Sequence, residues 1–293
     1  MLSYKPLKLS ATAMAALLFC LALAWAGSVS AEAGVTAQGD DVYKPTVGQE
    51  GKDVIWVPTD DSLVRLMLEA AKVTPNDLVY DLGAGDGKIA IAAARDFGAT
   101  AVGIEYNPEM AALAQRNAER AGVADKVKII HADIFVEDFS DATVVTLYLL
   151  PHLNMRLRPT LLDMKPGTRI VSNSFDMENW QPDEYLNTEY RSGYFWIVPA
   201  KVQGSWSLSG LPGNGPISLD LSQQFQIVEG VAKSNGVELA LIEPKLSGEN
   251  FSFEFVDAKG LQQKVELKVA GDQMTGKASS PQSSSAVRAS RLK

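Results

Sequence analysis

Apolar and polar positions follow two different rhythms along this chain, and the change falls near Lys201. Before it, short apolar runs cover residues 78–80, 100–104, 127–130, 143–150, 169–172 and 194–198. Runs of that length bounded by turn residues predict buried strands. Between them lie stretches with apolar residues at helical spacing, at residues 63–71, 89–94, 108–121 and 156–164. Asp60 or Asp61 is placed to cap the first of these, Pro108 opens the third and Gly122 ends it. Strands that alternate with helices imply parallel pairing and right-handed crossovers. The run 143–150 is nearly all apolar and is expected to be a central strand covered on both faces.

After Gly204 the helical period disappears. Alternating segments replace it at residues 205–208, 217–221, 225–228, 237–241, 251–255 and 265–269, with Gly, Asn and Asp at the turns between. That pattern predicts an antiparallel meander of seven or eight strands, a small all-β barrel or sandwich. Residues 279–285 are expected to be a flexible loop and 286–291 a closing strand. The chain therefore divides into 54–200, an α/β domain, and 201–293, a β-domain, with 32–53 as a flexible lead-in.

Chemistry concentrates where the first strand ends. Asp81-Leu82-Gly83-Ala84-Gly85-Asp86-Gly87-Lys88 places an acid and three glycines between a strand and an Ala-rich helix. Glycine permits positive φ and lets a ligand lie on bare backbone. A helix starting there turns its free N–H groups toward that ligand. The dinucleotide fingerprint fails because Lys88 stands at its third glycine, and the phosphate-loop signature fails because Ile89 follows Lys88. Glu105 ends the second run at the interval expected of an acid that closes on ribose hydroxyls, and Asp133 follows the third run. Ligands of open α/β sheets bind at the carboxyl ends of the strands. Three acids there suit a cationic, ribose-bearing, amine-bearing ligand without phosphates, a description that S-adenosylmethionine meets. Each acid also has a plainer reading: Asp81 as a helix cap, Glu105 as a partner of a surface lysine, Asp133 and Asp86 as solvated loop acids.

Residues 57–199 resemble a class I, seven-strand, S-adenosylmethionine-dependent methyltransferase, closest to the bacterial group similar to mitochondrial protein-lysine methyltransferases. The resemblance rests on Val57-Pro58-Thr59, Asp81 to Lys88, Gly103-Ile-Glu-Tyr-Asn-Pro108, Ala132-Asp133, Val145-Thr-Leu-Tyr-Leu-Leu-Pro151 and Lys165-Pro-Gly-Thr-Arg-Ile-Val-Ser172. It implies a Rossmann-like, mostly parallel seven-stranded sheet with helices on both faces. It implies S-adenosyl-L-methionine as cofactor, with Asp81, Gly83 and Gly85 at the methionine end, Glu105 at the ribose and Asp133 at the adenine, and with Ala84, Asp86, Tyr106 and Ile134 as further cofactor-binding residues. Pro58-Thr59 would help form a lid. Tyr148 and His152 are the candidates for the catalytic, substrate-facing side, and the acceptor implied is a protein lysine amine or a small molecule. His131, at a strand end, reads as structural. The β-domain resembles, loosely, small domains appended to exported bacterial proteins.

Composition narrows the rest. The net charge of -8 becomes -10 without residues 1–31, which hold Lys5 and Lys8 and no acid. That opposes an electrostatic nucleic-acid binder. Residues 1–31 read as a secretory signal: a basic start, an apolar run over 9–26, and Val29-Ser30-Ala31 as cleavage site. The rival is an uncleaved anchor, which would be the sole membrane contact. Both readings export the chain to the periplasm or the outer face of the inner membrane, although this cofactor is made in the cytosol. The single cysteine, Cys20, lies in that segment, so the mature chain has no thiol or disulfide chemistry. Two histidines and no mature cysteine make a metal site a poor fit. The alternative function is a non-catalytic exported protein that uses a methyltransferase-like domain to bind a nucleoside or a partner.

Overall fold

The computed structural model describes residues 39–292, which form four helices and sixteen strands. The segment read as a signal or anchor lies outside the described residues. No helix among the described residues is long and apolar enough to cross a membrane.

The first sheet has seven strands in the order β3-β2-β1-β4-β5-β7-β6. These are β1 Leu78–Leu82, β2 Thr100–Glu105, β3 Val127–His131, β4 Val144–Leu147, β5 Arg169–Asn173, β6 Glu184–Asn187 and β7 Ser192–Ile197. The first five are parallel, and β7 enters antiparallel between β5 and β6. β4 is buried at all four positions, as its apolar run requires. It stops at Leu147, so Leu149 to Pro151 leave the sheet. Pro151 opens the next helix, where its missing N–H costs nothing. The strand β6 lacks a sequence signal because only Leu186 of its four residues is buried.

Helices cover both faces. α1 (Asp61–Ala70), α2 (Lys88–Phe97) and α3 (Pro108–Arg120) bury Leu63, Met67, Ile91, Ala93 and Ala118 against one face. Asp60 caps α1 by accepting the Ser62 N–H, and Asn107 caps α3 by accepting the N–H groups of Glu109 and Met110. On the other face α4 (Pro151–Leu162) contributes Leu153, Leu157 and Leu161 beside Trp180 and Trp196.

The second sheet has nine antiparallel strands, β8 (Gly204–Ser209) to β16 (Ser284–Arg291), in the order β11-β10-β9-β8-β16-β15-β14-β13-β12. First and last strands pair, and the seam lies between β11 (Val237–Ala240) and β12 (Ile242–Ser247), so the meander is a nearly closed barrel. Inward positions fill it with Trp206, Leu208, Phe251, Phe253, Phe255, Val265 and Met274. Nine strands exceed the seven or eight expected. Residues 242–247 follow β11 after one residue and read as its continuation. The run 225–228 straddles the turn between β9 (Ile217–Gln224) and β10 (Ile227–Ser234). The loop expected at 279–285 shrinks to residues 280–283 because Ser279 and Ser284 pair.

The β9–β10 turn also joins the two sheets. Phe225, with φ of 56°, stacks on Trp180 at 5.9 Å and 21°. Gln226 accepts from Trp180 Nε1 at 3.0 Å and donates to the Gln181 carbonyl at 2.7 Å. Trp180 in turn accepts from Trp196 Nε1 at 2.8 Å. Phe225→Ala removes the ring that covers this face, and is expected to lower stability by about 2 kcal/mol, the lower end of large-to-small cost for a half-buried site. A urea midpoint unchanged within error would show that the ring is a passive contact.

Candidate active site

The tips of β1, β2, β3 and β4 and the chain before α1 enclose a cavity of about 250 Å³. Asp81, Gly83, Ala84, Gly85, Asp86, Glu105, Tyr106, Asp133, Ile134 and Tyr148 all line it. The strand register explains why the acids converge. Asp81 lies beside Thr146 of β4, and Leu82 beside Ile104 of β2, so the carboxyl ends of neighbouring strands stop at one level. His152 is not on the cavity wall; it is exposed in the first turn of α4. His131 is exposed at the end of β3, with its ring 6.5 Å from that of Tyr106.

The glycine turn is shaped by its neighbours. The N–H groups of Gly83 and Ala84 both donate to the Ile104 carbonyl, at 2.9 and 3.0 Å. Gly85 has φ of 55°, and a Cβ there would lie 2.9 Å from Trp56 Nε1. Gly103, beneath the turn in β2, leaves room for it: a Cβ would come within 2.8 Å of the Ala84 side chain. Glu105 holds the turn from the side. One of its oxygens accepts the Gly85 N–H at 2.9 Å and the other accepts the Asn107 N–H at 2.8 Å.

Burial sets the electrostatics. Asp81 is 2% exposed; one oxygen accepts from Thr146 Oγ1 at 2.6 Å and Oδ2 has no partner. Burial, opposed by the Thr146 bond and reinforced by the charges of Asp86 and Glu105, pushes its carboxyl up from 3.8 to about 7. Burial also raises Asp86, whose Oδ2 is again unpartnered, against the pull of Lys88. Glu105 is raised by burial, an effect its backbone N–H partners oppose. Unmet, buried acceptors of this kind cost free energy unless a donor or cation meets them. S-adenosylmethionine brings an ammonium, a sulfonium, ribose hydroxyls and an adenine amine, so the donor set of the group fits the acceptors present. Among the described residues no group of three or more His, Cys, Asp or Glu side chains could hold a metal ion.

Residues 39–53, the described part of the segment expected to be a flexible lead-in, fold over the cavity, and residues 49–59 supply much of its wall. Asp40 pairs with Arg116 and Arg120 of α3, and those guanidinium groups hold its carboxyl below the usual range. A small turn follows, closed by bonds between Gly48 and Trp56 and between Gly51 and Val54. Lys52 reaches Asp133 at 2.7 Å and lies 4.7 Å from the centre of the Tyr106 ring. The Lys52 ammonium lowers the Asp133 carboxyl. Thr59, whose carbonyl accepts from Lys88 Nζ at 2.9 Å, ends the strap. Polar composition hid this arrangement, because its holding bonds are long-range ion pairs with no local periodicity. The exception is the apolar cluster at residues 54–58, whose Trp56 meets Gly85. Phe175, after β5, also lines the cavity without having been singled out in the sequence.

Two outcomes test this geometry. Glu105→Ala frees the glycine turn and removes two charge-assisted bonds, so affinity for S-adenosylhomocysteine is expected to fall roughly 10- to 100-fold, about 1.4–3 kcal/mol. Unchanged affinity by calorimetry would remove Glu105 from the site. The second concerns Asp81. Its folded pKa stands above its unfolded value, so the stability it confers is complete below the unfolded pKa and is lost as pH rises toward about 7. Asp81→Asn is expected to flatten that slope, melting higher than the parent at pH 8, while losing ligand affinity. Parallel melting curves across pH would contradict a buried, reluctantly ionised Asp81.

Residues 81–184 match the family described as the ANTKMT methyltransferase domain. Over 138 residues the chain is 47% identical to a protein-lysine N-methyltransferase of Saccharolobus islandicus, covering 46% of this chain and 86% of that protein. Over 130 residues it is 33% identical to the adenine nucleotide translocase lysine N-methyltransferase of Mus musculus, covering 44% of this chain but only 56% of that protein. A structure described as an RNA methyltransferase from Salinibacter ruber, in complex with S-adenosyl-L-homocysteine, shares 49% identity, covering 50% of this chain and 96% of that one, with a TM-score of 0.49. With its seven-strand order, bare glycine turn and acid-tipped strands, the chain belongs to the class I S-adenosylmethionine-dependent methyltransferases and is related to the protein-lysine methyltransferases.

Proposed function

We propose that this methyltransferase acts on the side-chain amine of lysine in a protein partner. The observation that carries the reading is the 47% identity over 138 residues, 86% of the relative's length, to a protein-lysine N-methyltransferase. The cavity supports it. Strand order runs from Asp133 beyond β3 through Glu105 and Asp81 to Tyr148 after β4, so the acceptor approaches where β4 and β5 end. The wall there is Tyr148, Leu149, Leu150, Leu153 and Phe175, which suits an aliphatic side chain. A net charge of -8 favours a lysine-bearing partner over a polyanion.

When bound, the cofactor supplies a methyl group already activated on a positive sulfur. The protein's share of the work is alignment and exclusion of water. Asp81, Gly83 and Gly85 would hold the methionine end, with Asp86 beside it. Glu105 and Tyr106 would hold the ribose, and Asp133 and Ile134 the adenine. An amine attacks only when neutral. The aliphatic part of the wall, Leu149, Leu150 and Leu153, disfavours an ammonium by desolvation, so the proton leaves to water before the nitrogen lone pair reaches the methyl carbon. Tyr148, on the cavity wall, is the candidate to orient that nitrogen; His152, outside the wall, has no part in this scheme. The intact acids and bare turn favour catalysis over a retired binding fold.

Export belongs to the proposal as well and rests on residues 1–31 alone; N-terminal sequencing of the mature protein is expected to begin at Glu32. For the reaction, labelled S-adenosylmethionine is incubated with poly-L-lysine, poly-L-arginine and RNA. Label on lysine is the expected result. Transfer to RNA or arginine in preference to lysine would sink the reading.

A further inference from the structure

The loop after β5 is built more firmly than an ordinary surface turn. Ser174 has φ of 64°, a conformation that a residue with a Cβ holds only when its surroundings impose it. Here they do. The Ser174 N–H donates to the Ser192 carbonyl at 2.8 Å, and its hydroxyl donates to Asn173 Oδ1 at 2.6 Å. Phe175 N–H turns back to the Asn173 carbonyl at 2.8 Å. The Phe175 carbonyl accepts twice, from Ser172 Oγ at 2.6 Å and from Asn154 Nδ2 at 3.1 Å. Asn154 is fully buried in α4 and donates to the Asp176 carbonyl at 3.1 Å as well. Asn173 donates to Thr59 Oγ1 at 3.2 Å, tying the loop to the end of the strap.

What this fixation holds in place is one aromatic side chain on the cavity wall. Phe175 follows β5, which lies on the far side of β2, β1 and β4 from the strand that precedes Asp133. The wall residues that β4, α4 and β5 bring to this end include no carboxylate and no imidazole. An aromatic face there offers apolar contact to a methylene chain and a favourable field to an approaching cation. Side chains set within a fraction of an ångström by buried partners are what selective sites require.

We propose that Phe175 is the specificity-determining wall of the acceptor channel, selecting an unbranched alkylamine. Asn154 is its positioning residue, acting through the backbone of residues 175–176. The inference rests on the lysine reading above and adds to it the residue that chooses the acceptor.

The test uses the full chain and two probes: S-adenosylhomocysteine, and an adenosyl analogue carrying a four-carbon primary amine where the methyl would be. The ratio of their affinities isolates the acceptor arm. In the parent the arm is expected to tighten binding. Phe175→Ala is expected to erase roughly tenfold of that gain and Phe175→Leu roughly threefold, as expected for a lost cation–aromatic contact. Phe175→Tyr is expected to keep it. Affinity for S-adenosylhomocysteine stays within about twofold throughout, because the cofactor end lies on other strands, and a factor of two is under 0.5 kcal/mol. A fold that merely needs Phe175 would lose both affinities together, and that result overturns the proposal. So does a parent-like arm gain in Phe175→Ala, which leaves lysine methylation standing. A parent that gains nothing from the arm overturns both.

Discussion

The active cleft is organised around the cost of keeping carboxylates out of water. Asp81 and Asp86 are almost fully buried, each has an oxygen without a partner, and Glu105 stands close enough to add to the repulsion at Asp81. A closed interior would neutralise or expel such groups. Here the arrangement is stable enough to fold because the backbone supplies part of the compensation. N–H groups of Gly85 and Asn107 occupy Glu105, and the Thr146 hydroxyl occupies half of Asp81. The remainder is left for a ligand rich in donors and positive charge. Function therefore appears as a local deficit of hydrogen bonding at the cleft.

The strand tips and the glycine turn were legible in the sequence because their signals are local. An apolar run ending in an acid, followed by Gly83, Gly85 and Gly87, constrains backbone geometry within a dozen residues. Parallel pairing then brings Glu105 and Asp133 alongside without further information. The strap was illegible for the opposite reason. Lys52 meets Asp133, and Asp40 meets Arg116, across long sequence separations, and nothing in a polar, glycine-rich segment announces a distant partner. His152 follows Pro151 at the strand edge, and in the first turn of the helix that Pro151 starts it is exposed and off the cavity wall. Phe175 and Asn154 gave no signal either. One looks like an ordinary hydrophobe, and the other shows its importance only when the loop it anchors is seen.

The barrel and the α/β sheet share one layer of packing. The sheet face that carries α4 has Trp180 and Trp196 at its surface, and a residue from the β9–β10 turn finishes the cover. The indole of Trp180 is satisfied by Gln226 of that same turn, so the join is polar as well as apolar. The contact also stiffens the segment that leads from Phe175 to Trp180, where Arg158 of α4 donates to the Met177 carbonyl at 3.1 Å. Barrel, tryptophan pair and cleft loop thus form a continuous set of contacts.

The pairing of β8 with β16 carries a consequence for how the chain is made. A barrel whose first strand waits for its last cannot close until the whole meander has left the ribosome. The turn bearing Phe225 precedes β11 to β16 in the chain, so the cover for the tryptophan face is available before the strands that close the barrel.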